Sequence, residues 1–336
     1  MRWKLADDTG GQGVFFSDEE LVDRHVGTGE FRGLEFLHVN ARTIINEIPK
    51  AALLPFKYTI NVYRGCSHAC TYCFARPTHD YLGLGIGEDF ERKLVVKVNA
   101  VERLRAELRS PKWSGDHIAM GTNTDPYQRC EGKYHLTQGV IRVLAEAGNP
   151  FSILTKSTLI LRDLDLLKAA DVRCNFSIGT LDEEVWKTSE PGTPHPRRRV
   201  EAVRKLNEAG IPCGVLVAPI LPGLSDRPEQ IDEVVRACVE AGAVSVGGIP
   251  LHLRPGVREH YMDWLGTTRP DLVEEYTKRY RGRSYLPKSE QAEVGRLVRQ
   301  AVHNAGGLPR SARALRDPEP PAAPPTAAPA QQLTIL

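Results

Sequence analysis

Between Tyr58 and Leu251, short apolar runs alternate with longer segments whose apolar residues recur at helical spacing. The runs Tyr58–Tyr63, His117–Gly121, Phe151–Thr155, Cys174–Ile178, Gly214–Pro219 and Ser245–Leu251 read as strands. The segments Val98–Leu108, Gln138–Ala147, Arg162–Ala170, Pro196–Ala209 and Pro228–Ala241 read as helices. Three of these stop at a glycine (Gly148, Gly210, Gly242), the residue that most easily takes the left-handed turn closing a helix. Two open on a proline (Pro196, Pro228), whose missing N–H costs nothing in a first turn. The alternation predicts an α/β fold with parallel strands. Six strands are fewer than the eight of a closed TIM barrel.

The flanks read differently. Residues 1–50 are mixed in composition, with Gly10-Gly11-Gln12-Gly13 as a flexible stretch, and are expected to form an irregular N-terminal extension. The core barrel is expected over 51–255. A helical region over 256–309 follows, its helices at His252–Gly266, Asp271–Tyr280 and Ser289–Asn304. From 310 to 336 proline and alanine dominate, and a segment with so little to bury is expected to be disordered.

Composition narrows the function classes. The 336 residues are 41% hydrophobic and 26% charged, ordinary for a globular protein, and the formal net charge is +2. Bulk charge therefore announces neither a nucleic-acid nor a membrane partner, and either would have to use a local patch. The opening Met1-Arg-Trp-Lys-Leu-Ala-Asp-Asp lacks the apolar core of a signal peptide, and no run approaches a membrane span. Seven cysteines, clustered once and otherwise scattered, suit the reducing cytoplasm better than a disulfide framework.

The cluster carries the chemistry. In Arg64-Gly65-Cys66-Ser67-His68-Ala69-Cys70-Thr71-Tyr72-Cys73-Phe74 the spacing is C-x₃-C-x₂-C. Three thiolates at this spacing can hold three irons of a [4Fe–4S] cluster, which ordinarily takes four cysteines. The next cysteine is Cys130, so one iron would be open to a small molecule. Two plainer readings compete: small core residues on one helix face, or a Cys₃His zinc site completed by His68 or His79.

The motif resembles the signature of the radical S-adenosylmethionine (radical SAM) superfamily. The run Gly121-Thr-Asn-Thr-Asp-Pro-Tyr-Gln128 and the Pro-Gly-Leu at 222–224 look like its spore photoproduct lyase-related branch, and within it a group of bacterial radical SAM proteins. The resemblance spans roughly Tyr58 to Leu253. It implies a partial (β/α)6 TIM-like barrel whose chemistry sits at the C-terminal strand ends, just where the motif follows the first strand. It also implies two cofactors, a [4Fe–4S] cluster and SAM chelated at the open iron. Cys66, Cys70 and Cys73 are the implied ligands. Tyr72 holds the family's aromatic position against the adenine. Thr122, Asn123, Thr124 and Asp125 crowd the strand end that binds the SAM ammonium. Lys156 resembles the branch's partner for the SAM carboxylate, Ser177 faces the barrel interior with Asn175, and Arg198 is the arginine of 197–199 chosen to reach the cofactor. The activity implied is reductive cleavage of SAM to a 5′-deoxyadenosyl radical that abstracts hydrogen from a substrate. No second cluster motif or flavin motif occurs, so an electron donor such as a flavodoxin or ferredoxin is implied.

The branch analogy has one gap. Spore photoproduct lyase carries a hydrogen-donating cysteine where Thr122 stands here, and a hydroxyl is a poor hydrogen-atom donor. Cys130 could substitute only from the following loop, and a packed cysteine is the plainer expectation. Nucleic acid stays a candidate substrate because 278–285 interleave basic and aromatic residues, Lys-Arg-Tyr-Arg-Gly-Arg-Ser-Tyr, against the plainer reading of a basic helix end. The rival functions are a zinc-binding nucleic-acid module without catalysis and an electron-transfer protein with the cluster but no SAM. The scattered remaining cysteines offer no auxiliary cluster site, which argues against a methylthiotransferase.

Overall fold

The computed structural model describes residues 3–4, 15–16, 19–49 and 54–308. The expected tail over 310–336 and the glycine-rich stretch at 10–13 lie outside these residues. Six parallel strands form the main sheet in chain order: β1 (Tyr58–Ile60), β2 (Ile118–Met120), β3 (Phe151–Thr155), β4 (Val172–Ser177), β5 (Cys213–Ile220) and β6 (Val246–Pro250). Ile45–Glu47 pairs antiparallel on the outer edge of β1. The two edges of this sheet do not pair with each other, so the barrel is open.

Between the strands run α1 (Ala100–Leu108), α2 (Leu136–Glu146), α3 (Leu164–Lys168), α4 (Glu183–Ser189), α5 (Pro196–Glu208) and α6 (Pro228–Glu240). Pro196 and Pro228 occupy first turns, as their chemistry favours. The main core is the layer between sheet and helices, with Ile118, Ile153, Phe176 and Val215 from the strands against Leu144, Val203 and Val235. On β4 the apolar Cys174 and Phe176 point into that layer and the polar Ser177 faces the other way, the alternation expected of a strand with two different neighbours.

Two features differ from the sequence reading. The apolar run starting at Tyr58 is broken after Ile60: Tyr63–Arg64 belongs to a second sheet. That sheet also holds Glu19–Val26, Glu35–Ala41 and Lys93–Lys97, so the N-terminal region is not irregular where it is described. Its strands were hidden because charged residues on the outer face interrupt the apolar pattern, while Phe36, Leu37 and Val39 are fully inside. Tyr63–Arg64 and Lys93–Lys97 pair antiparallel, and the cysteine loop is the excursion between them.

After β6 come α7 (Val257–Thr268), α8 (Val273–Arg279) and α9 (Lys288–Asn304). The helix α9 returns to the main core through Val294, Val298 and Val302 and covers β6. The helices α7 and α8 build a second core from Tyr261, Leu265, Tyr276 and Tyr280, into which Cys70 and Tyr72 insert. The C-terminal region is thus one wall of the cysteine loop. Among the described residues no helix is long and apolar enough to cross a membrane.

Candidate active site at the C-terminal edge of the sheet

The cysteine loop is held from several sides. Gly65 opens it at φ +76°, and a Cβ there would lie 2.9 Å from the Phe90 carbonyl oxygen, so glycine is required. The Cys66 amide donates to that same carbonyl at 2.8 Å. Gln128, fully buried beyond β2, accepts from the Ser67 amide (3.0 Å) and donates to the Gly65 carbonyl (2.9 Å). Arg76 is also fully buried. It donates through Nε and one terminal nitrogen to the Cys70 carbonyl (3.1 and 3.0 Å), pairs with Glu91 at 2.5 Å, and reaches the carbonyls of Ile86 and Gly87. From the far side, the loop after α4 presses in: the Thr71 amide donates to the Ser189 carbonyl and the Gly192 amide to that of His68, each at 3.0 Å. A Cβ on Gly192 would sit 2.1 Å from the Ser67 carbonyl oxygen.

The frame brings the three thiols together. Cys66 and Cys70 are buried and Cys73 half-buried. Burial pushes all three thiols up, Cys70 to about 12, and each lies close enough to another for their charges to interact. The Asp125 backbone hydrogen-bonds Cys66, and those of Ala75 and Arg76 hydrogen-bond Cys73, which favours the thiolate. A soft all-sulfur donor set in an apolar wall fits an iron–sulfur cluster, whose binding would expel the thiol protons.

The same geometry argues against zinc. A tetrahedral ion with bonds of about 2.3 Å would hold its sulfurs about 3.8 Å apart. Among the described residues the three sulfurs are not within 4.8 Å of one another; the one trio of candidate ligands that close is Asp23, His25 and His38, on the N-terminal sheet. Nor does either proposed histidine complete the set. His68 Nδ1 lies 3.5 Å from Asp125 and His79 Nε2 lies 2.9 Å from the Lys93 carbonyl.

Beside the loop, the strand ends supply a second, charged layer. Lys156, after β3, donates to Ser177 Oγ (2.8 Å), Glu190 Oε1 (2.9 Å) and the Ala218 carbonyl (3.4 Å). Its ammonium stands 5.6 Å from the centroid of the Tyr72 ring. The Tyr72 hydroxyl donates to Glu190, and so does the Arg199 guanidinium. Arg199 also donates to the carbonyls of Pro194 (2.8 Å) and Ser177 (3.2 Å). Burial alone would raise the Glu190 carboxyl, but Arg199 and Lys156 hold it well below the ordinary carboxylate range. Tyr72, Lys156 and Arg199 therefore meet around one buried anion, and Ser177 joins through Lys156.

Glu190 was not foreseen. It follows an unnoticed helix, α4, and nothing in its own neighbourhood of sequence marks it. Arg198 needs correction: it is exposed, while Arg199 is 1% exposed and points inward. Adjacent helical residues diverge by about 100°, and here the second of the two lies on the inner face of α5.

The residues after β2 divide. Thr124 donates to the Tyr63 carbonyl at 2.8 Å, and Asn123 lies 3.5 Å from Thr78 Oγ1. Thr122 is half-buried beside them. The Asp125 carboxylate accepts from Thr155 Oγ1 (2.7 Å) and from the amides of Tyr127 (2.9 Å) and Lys156 (2.7 Å). It ties the β2 and β3 loops together. Cys130 is fully buried in the main core, the packed role. In the basic-aromatic run, Lys278 pairs with Glu274 and Arg279 with Asp226, Glu275 and Glu290, while Tyr280 is buried on the Leu251 carbonyl.

Comparison with known proteins identifies the family. The model of the radical SAM superfamily matches residues 60–238, more than half of the chain. The chain belongs to the radical SAM superfamily. A radical SAM enzyme of this kind uses a [4Fe–4S] cluster and SAM. An uncharacterised protein of Mycobacterium tuberculosis is 46% identical over 270 residues, 79% of each chain. The radical SAM Nalpha-GlyT isomerase of Pseudomonas phage M6 is 26% identical over 161 residues, 47% of this chain and 32% of that protein. In fold, the chain is similar to spore photoproduct lyase solved with dinucleoside spore photoproduct, with a TM-score of 0.58 at 21% identity over 80% of this chain and 79% of that one.

Proposed function

We propose that this radical SAM enzyme acts on a nucleobase-bearing unit of a nucleic acid. The observation that carries the chemistry is the trio of neighbouring thiols, two buried and one half-buried, with no histidine completing it among the described residues, at the C-terminal edge of an open parallel sheet. Support for the substrate class comes from proteins of similar sequence or fold whose names concern GlyT and a dinucleoside photoproduct. When bound, the cluster and SAM supply an electron and a carbon-centred radical able to abstract hydrogen.

The chain's own residues take three roles in this reading. Cys66, Cys70 and Cys73 hold the cluster. The Tyr72 ring offers a flat face suited to a purine. Lys156 and Arg199 offer cations for a carboxylate and Glu190 an anion for an ammonium, the two charged groups of an amino acid. Glu190 now pairs with both cations and leaves one positive charge in excess, so a zwitterionic ligand would exchange internal ion pairs for its own rather than leave a charge bare. Thr122 stands where the lyase resemblance puts a hydrogen-donating thiol, and Cys130 is packed in the core. A reducing, cytoplasmic setting and an external one-electron donor of flavodoxin or ferredoxin type complete the proposal.

The test is anaerobic reconstitution with iron and sulfide, then incubation with SAM and dithionite. 5′-Deoxyadenosine is expected above a Cys70→Ala control, and DNA or RNA is expected to raise its yield. No product above that control would defeat the enzyme reading. Stimulation by peptides and not by nucleic acid would defeat the substrate class alone.

A further inference from the structure

At the end of β6, three aromatic rings stand in a row beside the cysteine loop. Phe74, the residue after Cys73, is 41% exposed, and its ring lies 6.1 Å from that of His252. His252 is stacked on Tyr285 at 5.2 Å and 14°, and Tyr285 is 58% exposed. Large exposed aromatics are uncommon among the described residues, and a stack like this one leaves its outer ring face open to a further flat partner.

The row is held by the backbone. His252 and Tyr285 form an antiparallel bridge, and the Leu253 amide donates to the Ser284 carbonyl at 2.7 Å. On either side Leu253 and Leu286 are buried, and Tyr280 holds the Leu251 carbonyl at 2.8 Å. A face fixed in this way loses little freedom when something flat settles on it.

Positive charge surrounds the row. Arg281 and Arg283 are exposed, Arg258 reaches the Arg283 carbonyl, and Arg254 lies near enough to lower the His252 pKa, after burial. Lys278 and Arg279 are different, because neighbouring carboxylates already engage them. In the basic-aromatic run, Tyr280 is buried and Arg279 half-buried, Lys278 is exposed but ion-paired, and Arg281, Arg283 and Tyr285 present two guanidinium groups and a ring to solvent.

We propose that Tyr285, His252 and Phe74 are a stacking platform for an unpaired base of a nucleic-acid strand, with Arg281 and Arg283 meeting the adjoining phosphates. Aromatic faces accept any base and arginines any phosphate, so the surface would prefer single-stranded or locally opened nucleic acid without reading its sequence. The platform rests on the nucleobase reading above and gives it an address, next to the third cysteine. An acidic redox protein is the competing occupant. It would use the arginines and not the ring.

The test uses the full-length, cluster-loaded protein under anaerobic conditions at fixed salt. Fluorescence anisotropy follows binding of labelled oligo-dT, oligo-rU and a blunt DNA duplex. Tyr285→Ala is expected to weaken binding to a single strand at least about fivefold, and Tyr285→Phe to keep it within about twofold. Arg283→Gln is expected to lower the salt slope by about 0.7. The two single strands decide between DNA and RNA. Basal SAM cleavage without nucleic acid should be unchanged in Tyr285→Ala, which also shows that the variant is folded. If nucleic acid stimulates SAM cleavage equally in wild type and Tyr285→Ala, the platform is wrong and the substrate class stands. If the wild type neither binds nor responds to any of the three nucleic acids, both fall. Binding of duplex and single strands with equal affinity, unaffected by Tyr285→Ala, would also overturn the platform.

Discussion

The cysteine loop and the strand-end network lie side by side but are stabilised in opposite ways. The loop is fixed by its frame, through Arg76, Gln128, Gly65 and Gly192, while burial pushes its thiols up against the weaker pull of Lys156, Arg199 and Arg76. The strand-end network is closed on itself, with Glu190 taking Tyr72, Lys156 and Arg199 at once. The contrast teaches that the two halves meet a ligand differently. The loop gains an interaction it lacks, whereas the network must trade one set of partners for another.

The largest break in this contrast is expected at the cysteines. Replacing any one of Cys66, Cys70 or Cys73 with alanine should abolish retained iron and sulfide, measured by metal analysis, and SAM cleavage with them. Such a loss should leave the fold intact, because the frame does not depend on the sulfurs.

The network should behave in reverse. Arg199→Ala leaves a buried carboxylate with one cation fewer and is expected to cost about 3–5 kcal/mol in denaturant unfolding. Its neighbour is the control: Arg198→Ala should stay within about 0.5 kcal/mol. If the two variants unfolded alike, the inward orientation of Arg199 would be refuted. Arg76→Ala tests the frame in the same assay. About 3 kcal/mol is expected to be lost, because the Cys70, Ile86 and Gly87 carbonyls lose their donor while Glu91 can turn to water. Cluster content should fall as well.

Smaller effects sharpen the picture. Tyr72→Phe keeps the ring and removes one donor to a charged acceptor, for about 1.5 kcal/mol. The pH dependence is the subtlest. Because the folded Glu190 pKa is depressed, its stabilising contribution is complete above the ordinary glutamate pKa of about 4.3 and is lost only as pH falls through the lower folded value. The stability gap between wild type and Glu190→Gln should therefore be flat from about pH 5 to 8 and narrow below about pH 4. A gap that changed near neutrality would mean that the carboxyl is not held down by its two cations.

How much could be read in advance follows the same division. Helix stops at Gly148, Gly210 and Gly242, first turns at Pro196 and Pro228, and the six strands were legible because short-range stereochemistry sets them. So was the cysteine motif, whose function depends on spacing within eleven residues. The hairpin strands at 19–26 and 35–41 were missed because charged residues interrupt their apolar pattern, and the strand at 93–97 because its pairing with 35–41 is long-range. Glu190 was missed because its meaning comes from Lys156 and Arg199, not from its neighbours. Arg198 was preferred to Arg199 because three consecutive arginines look alike until a helix fixes which one turns inward.

By itself, the sequence determined the order of α/β units and a three-thiol loop at the end of the first strand, since both are local consequences of backbone and side-chain chemistry. Only the tertiary structure decided which polar residues would share one buried site, which arginine would enter it, and which charges of the basic-aromatic run would be left unpaired with a carboxylate. Those choices depend on which distant surfaces exclude water from a charge, and only the packed chain fixes that.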